Sequence, residues 1–463
     1  MKNFSGSLFD GNVHFVGIGG VGMSGLAHIL KELGYLVTGS DSESNSYTMG
    51  LEKIGVSVLK GHCAENVKNS TCIVVSSAID QSNVEVIEAK RMSIPILHRS
   101  HILSWIMKFS FSIGVSGSYG KSTTTTLVGH LLENCGYEPT VIVGATVNAK
   151  KTNAYLGKGE FCVAEADESD TSFLNLRPDV SVITSIDQEH LNSYGSFAEL
   201  KDAFYRFMTE TSFCGFSVVC IDDHDIRDLV NKSLASGKGH RIITYGLSLD
   251  ANVRAHNIEY GRDHLNYDAT FEVNWRPKCR LPNVKLEAIG EYNVKNSLAA
   301  LAVLFGMGGN LTYDCFKNYE GVKRRCTTVG FYNGARIIDD YGVHPFAINQ
   351  VIQTLKRDFL GRLFVVWEPH RYSRVVPLAL EFAKTFSAVD RLYIIPVFTA
   401  WEQTPEGYSF EVFINLVSAN CTFVKSLEFL GEDLARQNLS SLDIIVFFGA
   451  GKVTYWAQDL AKY

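Results

Sequence analysis

The segment GVSGSYGKSTTTT at positions 114–126 constrains this chain more than any other. It follows the short apolar run 112–115 and precedes Leu127, Val128, Leu131 and Leu132, which recur at helical spacing. A glycine loop between a strand and a helix is therefore expected. Its core is Gly117, Gly120, Lys121 and Ser122. Backbone N–H groups in such a loop cradle phosphates, the lysine reaches the terminal phosphates, and the serine hydroxyl suits Mg²⁺. The full Walker A pattern requires glycine where Val115 stands, so the motif is the shorter G-x-x-G-K-S.

A second glycine turn lies near the N-terminus. Residues 17–22 read GIGGVG, after the run Asn12–Val16 and before Met23, Leu26, Ala27, Leu30 and Leu33 at helical spacing. Glycines at 17, 19, 20 and 22 let the backbone approach a pyrophosphate, and the helix N-terminus supplies free N–H groups. Asp41, at the end of the next strand, suits a ribose hydroxyl. Taken alone, this half would read as an NAD enzyme or as a turn that merely packs helix on strand.

Acidic residues follow the phosphate loop. The run 161–164 ends in Glu165, the first residue of EADESD, and an acid at a buried strand's end is where a Mg²⁺ ligand is needed. The alternative is that Glu165, Asp167, Glu168 and Asp170 form a solvated turn. The run 180–186 leads to Asp187 and His190. A lone histidine is more often structural than a magnesium ligand, because Mg²⁺ prefers oxygen.

At 463 residues the chain is too long for one core, and about three domains are expected. Further strand-like runs at 36–38, 72–75, 94–97, 337–338, 363–367, 392–397 and 444–448 alternate with helical stretches. Repeated βαβ units predict parallel sheets covered on both faces. One boundary is expected near Lys108 and another just beyond the basic cluster 323–325. A net charge of −6 gives no reason to expect nucleic acid. No long apolar span and no basic-then-apolar leader is present, so a cytoplasmic protein without a membrane partner is expected. Ten cysteines without a CxxC pair read as reduced, buried thiols, and Phe109, Phe111 and Tyr205 read as core.

Nine motifs in order carry a resemblance: GIGGVG, GSYGKST, EADESD, IDQEH, EYNVKNSLAA, GVKRR, DDYGVHP, EPHRYSR and FGAG. Over nearly the whole chain the sequence resembles the Mur ligase family. That resemblance implies an α/β protein of three domains. A Rossmann-like N-terminal lobe (1–107) would hold the UDP part of a substrate through Gly17, Gly19, Gly20, Val21, Gly22, Asp41, Ser76 and Ser77. A central P-loop domain (108–324) would bind ATP through Gly117, Ser118, Tyr119, Gly120, Lys121, Ser122 and Thr123, with Asn293 and Asn296 on the adenine side. Arg325, just before the last lobe, would reach the nucleotide. Ser122 and Glu165 would hold one Mg²⁺ and His190 would help hold a second. A Rossmann-like C-terminal lobe (325–463) would line the amino-acid site with Tyr341, His344, His370, Arg371 and Arg374. The most similar branch of the family joins L-alanine to UDP-N-acetylmuramate by way of an acyl phosphate.

The C-terminal residues also make sense unaided. His370, Arg371 and Arg374 follow the run 363–367, at a strand's carboxyl end, and arginine's planar fork matches the carboxylate of an amino acid. Five positions depart from the family pattern: Ser118, Tyr119, Tyr292, Val343 and Lys452. Other readings are a ligase that attaches a tripeptide to the same nucleotide sugar and a folylpolyglutamate synthase, against which the GIGGVG lobe argues. An NAD-dependent dehydrogenase would leave Lys121, Ser122 and Glu165 unexplained, and a non-catalytic nucleotide-binding module would release no phosphate.

Overall fold

A computed structural model describes residues 11–237, 241–400, 402–406, 409–417 and 420–463, so the first ten residues of the N-terminal segment lie outside it. The chain divides into two compact units. One comprises Met1–Ile258, Asn266–Glu287 and Asn293–Gly321; the other comprises Glu259–Leu265, Ala288–Tyr292 and Val322–Tyr463.

The first unit opens with a five-stranded sheet: β1 (Asn12–Val16), β2 (Leu36–Asp41), β3 (Ser57–Lys60), β4 (Ser70–Val75) and β5 (Ile96–His98). All neighbours are parallel, in the order β3-β2-β1-β4-β5, a doubly-wound arrangement. The helix Ser46–Lys53 starts with a capping box, the Asn45 side chain and Thr48 satisfying each other's backbone N–H groups.

A second sheet follows: β6 (Phe111–Ser116), β7 (Thr140–Val147), β8 (Thr152–Tyr155), β9 (Phe161–Glu165), β10 (Val180–Ile183), β11 (Phe216–Cys220), β12 (Ile242–Gly246), β13 (Val253–Tyr260), β14 (Leu265–Phe271) and β15 (Cys279–Leu286). Their order is β15-β14-β13-β12-β11-β10-β6-β9-β7-β8. The phosphate-loop strand β6 thus lies between β10 and β9, with parallel ladders on both sides.

The second unit holds β16 (Thr327–Tyr332), β17 (Ala335–Asp340), β18 (Leu363–Trp367), β19 (Arg391–Ile394), β20 (Cys421–Phe423) and β21 (Ile444–Phe448), ordered β16-β17-β21-β18-β19-β20. Only β16 is antiparallel to its neighbour. Strand alternation divides its core. Ile338, Val365, Trp367, Val446 and Phe448 pack with helices Pro345–Asp358 and Ala379–Phe386 on one face. Ile337, Phe364, Val366, Ile445 and Phe447 pack with Leu427–Ala435 and Val453–Leu460 on the other.

Several expectations change. The run 180–186 leaves the sheet at Ile183, because residues 184–187 turn aside to hold the phosphate loop. The run 94–97 becomes Ile96–His98, since Pro95 has no N–H for a ladder. Phe109 is 43% exposed rather than core, and Phe111 and Tyr205 are only partly buried. All ten cysteines are free as expected, but Cys63, Cys214 and Cys279 are exposed. Among the described residues no helix is long and apolar enough to cross a membrane.

Candidate active site

The phosphate turn forms where β6 ends and the helix Lys121–Asn134 begins. Gly117 (φ +130°) and Gly120 (φ +83°) occupy the left-handed region, where a side chain is strained. A Cβ on Gly120 would lie 2.5 Å from Asn296 Oδ1. The turn is latched to residues 184–187. Ser118 N–H donates to Ser185 O at 3.0 Å, Tyr119 N–H to Ser185 Oγ at 2.9 Å, and Asp187 N–H to Ser118 Oγ at 2.8 Å. Tyr119 hydroxyl donates to Asp187 Oδ2 at 2.8 Å, so the tyrosine side chain is itself a latch. Asn296 braces the helix from behind. Its Oδ1 accepts from Thr124 Oγ1 at 3.3 Å and its Nδ2 donates to Asn293 Oδ1 at 3.1 Å.

Lys121 and Ser122 each meet an acid from EADESD. Ser122 Oγ donates to Glu165 Oε2 at 2.9 Å, and Gly144 N–H donates to the same oxygen at 2.8 Å. Lys121 Nζ donates to Gly117 O at 2.6 Å and to Glu168 Oε1 at 2.8 Å. Burial pulls the Lys121 ammonium down, but the Glu168, Glu165 and Asp167 carboxylates outweigh it and hold the pKa above its ordinary value. Burial pushes Glu168 up to about 7 in spite of Lys121. Glu168 Oε2 is buried and finds no hydrogen-bond partner among the described residues. Nothing in the sequence singled Glu168 out from its acidic neighbours as the lysine's partner. His190 adopts φ +58° just ahead of the helix Leu191–Tyr194. Among the described residues it joins no cluster of three His, Cys, Asp or Glu ligand atoms. The one such cluster among the described residues is His224, Asp225 and Asp228, in which His224 and Asp228 are exposed.

The N-terminal turn is built differently. Gly17 (φ +76°) and Ile18 both donate N–H to Ser40 O, at 2.8 and 2.9 Å. Gly19 N–H donates to Asp41 Oδ2 at 2.8 Å, and Asn45 Nδ2 donates to Gly19 O at 3.1 Å. Asp41 therefore braces the turn itself. The helix Val21–Glu32 that follows has no side-chain cap and no acid in its first turn. Ser77 shares hydrogen bonds with His98 Nε2 (3.1 Å) and with Asp170, and Ser76 O accepts the N–H of Ile79 at 3.0 Å. Arg99, which sequence reading passed over, lies beside Gly22. A Cβ on that glycine would be 3.5 Å from Arg99 Nη1. The other arm, Nη2, donates to Asp167 Oδ2 at 2.7 Å.

In the second unit the expected residues gather beyond the carboxyl ends of β17 and β18. Tyr341 lies under two guanidinium groups, with Arg324 Cζ 5.1 Å and Arg325 Cζ 5.4 Å from its ring centre. His344 is the N-cap of Pro345–Asp358. Arg371 takes φ +62°, and its N–H donates to Phe398 O at 3.0 Å. Arg374 Nη1 lies 2.8 Å from His370 Nδ1 and is the donor of that pair. Burial, helped by Arg374 and Arg371, pushes His370 down to about 4, so its ring is neutral at pH 7. Glu368, within EPHRYSR but unassigned by sequence reading, is buried. It accepts N–H from Gly451 at 2.7 Å and from Lys452 at 3.0 Å, holding the FGAG loop. Because Lys452 is engaged through its backbone, this contact does not depend on the side chain at this departing position.

Three successive family descriptions match the chain: Mur ligase family, catalytic domain, over residues 12–111; Mur ligase middle domain over 115–304; and Mur ligase, glutamate ligase domain, over 324–451. The chain belongs to the Mur ligase family. It is 38% identical to the UDP-N-acetylmuramate–L-alanine ligase of Chelativorans sp. (strain BNC1), over 98% of both chains. It is 40% identical to the enzyme of the same name from Methylorubrum extorquens (strain PA1), over 97% of both. Among solved structures, UDP-N-acetylmuramate-alanine ligase MurC from Thermotoga maritima matches with a TM-score of 0.80 at 26% identity, over 98% of each chain. This Mur ligase thus has the three-part α/β fold that the nine motifs implied.

Proposed function

We propose that this Mur ligase joins L-alanine to UDP-N-acetylmuramate, cleaving ATP to ADP and phosphate by way of an acyl phosphate. The observation that carries the reading is the phosphate turn, with Lys121 on Glu168 and Ser122 on Glu165, in a chain 38% and 40% identical over nearly full length to two ligases of that name. Residues 1–107 take the UDP moiety, 108–324 take ATP, and 325–463 supply the amino-acid site.

The muramyl carboxylate attacks the γ-phosphate of ATP. Backbone N–H groups at the head of Lys121–Asn134 and the Lys121 ammonium offset the charge that develops there, since phosphoryl transfer relies on positioning and electrostatics. Ser122 Oγ and the Glu165 carboxylate, 2.9 Å apart, are hard oxygen donors that fit Mg²⁺, which would screen the β- and γ-phosphates when bound. His190 would help hold a second ion. Arg371 and Arg374 clamp the carboxylate of alanine, and its free amine then attacks the acyl carbon. Phosphate leaves with one oxygen of the original carboxylate.

Two measurements test this. Phosphate release from ATP should require UDP-N-acetylmuramate and L-alanine together. With ¹⁸O in the muramyl carboxylate, each phosphate released should contain one heavy oxygen by mass spectrometry. Label in AMP, or release of pyrophosphate, would overturn the acyl-phosphate route.

A further inference from the structure

The acids of EADESD are tied at both ends. Lys121 and Ser122 hold Glu168 and Glu165 from the phosphate turn, while Arg99 Nη2 holds Asp167 Oδ2 at 2.7 Å and lies 4.0 Å from Asp170 Oδ2. Asp170 is further gripped by Ser77 and has His98 Nε2 at 3.5 Å. One guanidinium therefore spans two places. Nη1 stands over the first turn of Val21–Glu32, an uncapped helix N-terminus, and Nη2 reaches the acidic string. The side chain is only 17% exposed, so few waters compete for its donors. Arginine has five N–H donors in a rigid fork, and the bond to Asp167 uses one of them.

We propose that Arg99 binds the diphosphate of the nucleoside-diphosphate substrate with one arm while its other arm holds Asp167, so that it positions the substrate relative to the acids serving the phosphate turn. This rests on the reading of 17–22 as the diphosphate seat. That seat has helix N–H groups but no cation of its own within the GIGGVG motif. A doubly charged diphosphate placed there draws on Arg99, which weakens its hold on Asp167. The negative charge gained by the string favours the magnesium–nucleotide complex served by Glu165, two residues before Asp167, and Glu168, one residue after it. Binding at the two turns is thus coupled, and by linkage the coupling is reciprocal.

Isothermal titration calorimetry of the full chain tests this with UDP and with MgADP as probes. Wild-type protein should bind MgADP about fivefold or more tightly when UDP is saturating. Arg99→Ala should weaken UDP binding by about tenfold or more, because a partly buried cation facing an anion is lost. Arg99→Lys keeps the charge but cannot reach both partners. It should restore most UDP affinity and leave MgADP indifferent to UDP. Asp167→Asn should bind UDP within about threefold of wild type and also lose the coupling. A purely structural ion pair would lower the melting temperature in all three variants yet leave the coupling intact, and that result would overturn the proposal. So would wild-type UDP affinity in Arg99→Ala. Failure of the wild-type protein to bind UDP at all would instead overturn the assignment of the 17–22 turn.

Discussion

The molecule contains two glycine turns of the same outline, each leaving a central parallel strand and entering a helix, and they obtain their positive charge in opposite ways. At 117–120 the cation is the next residue, Lys121, and its acidic partners Glu165 and Glu168 lie in one short string. At 17–22 the motif has no cation; the guanidinium beside Gly22 belongs to Arg99, on a different helix. The first turn is braced by a neighbouring loop through Ser185 and Asp187, the second by its own sheet through Ser40 and Asp41. On the proposed function, the turn that must stabilise transferring charge brings its lysine with it, while the turn that only holds a substrate borrows charge from elsewhere in the chain.

Breaking the first turn should have the largest effect. Lys121→Ala should leave the fold intact and slow phosphate release by about 3–4 kcal/mol, on the order of a hundredfold or more. Retention of more than about a tenth of the rate would show that the charge is met elsewhere. The same pair gives a pH signature. Glu168 has its pKa raised from 4.5 to about 7 by burial, so the folded protein holds a proton that the unfolded chain releases between those values. Its contribution to stability is therefore complete below about 4.5 and is lost as pH rises through 7. Melting curves across that window should show the loss, and Glu168→Gln should flatten it.

The same contrast explains what was legible in the sequence. Contiguous chemistry could be read directly, as with GKS after a strand, an acid at the end of β9, and arginines after β18. Continuous apolar runs located the buried strands β1, β18 and β21, because both faces of a parallel sheet are covered. Strands β13 to β15, which intersperse buried residues with partly buried or exposed ones, offered no such run and were missed. Relations between distant residues were also invisible. Glu168 looked like any surface acid, Arg99 like any helix-start arginine, and Glu368 like the dispensable first letter of EPHRYSR.

Next in size is the acceptor side. Arg374→Ala should raise the KM for alanine by about 2 kcal/mol or more, roughly thirtyfold, with little change for ATP. His370 should respond as well. Burial together with Arg374 and Arg371 keeps its pKa near 4, and removing Arg374 should move the imidazole titration upward by NMR. A shift in the ATP dependence alone would place this arginine elsewhere in the reaction.

Matched glycine substitutions compare the turns themselves. Gly120→Ala forces a side chain into φ +83° and toward Asn296 Oδ1 at 2.5 Å. A loss of about 2 kcal/mol in stability is expected, together with weaker MgADP binding. Gly20, the N-cap of the other helix, has φ −64°, and its Cβ would meet nothing closer than Gly17 O at 3.4 Å. Gly20→Ala should stay within roughly 1 kcal/mol of wild type by thermal melting. Equal losses would mean that the two turns are equally tight, contrary to their geometry.

The smallest expected effect decides what Asp41 does. Its place at the end of β2 suits a ribose hydroxyl, but its Oδ2 accepts the Gly19 N–H at 2.8 Å and its Oδ1 accepts the Glu43 N–H at 3.2 Å. If bracing is its main work, Asp41→Asn should cost little, because the amide oxygen can still accept from Gly19. The loss of a charged acceptor in favour of a neutral one amounts to about 1 kcal/mol, or roughly fivefold in UDP affinity. Asp41→Ala removes both acceptors, frees the turn and should weaken UDP several times further. If the carboxylate instead held the ribose as a charged acceptor, Asp41→Asn would already show most of the loss seen with Ala. The comparison needs only calorimetric titration of the two variants with UDP, with NAD as the control ligand. Tight NAD binding by the wild-type chain without UDP binding would restore the dinucleotide reading of this turn.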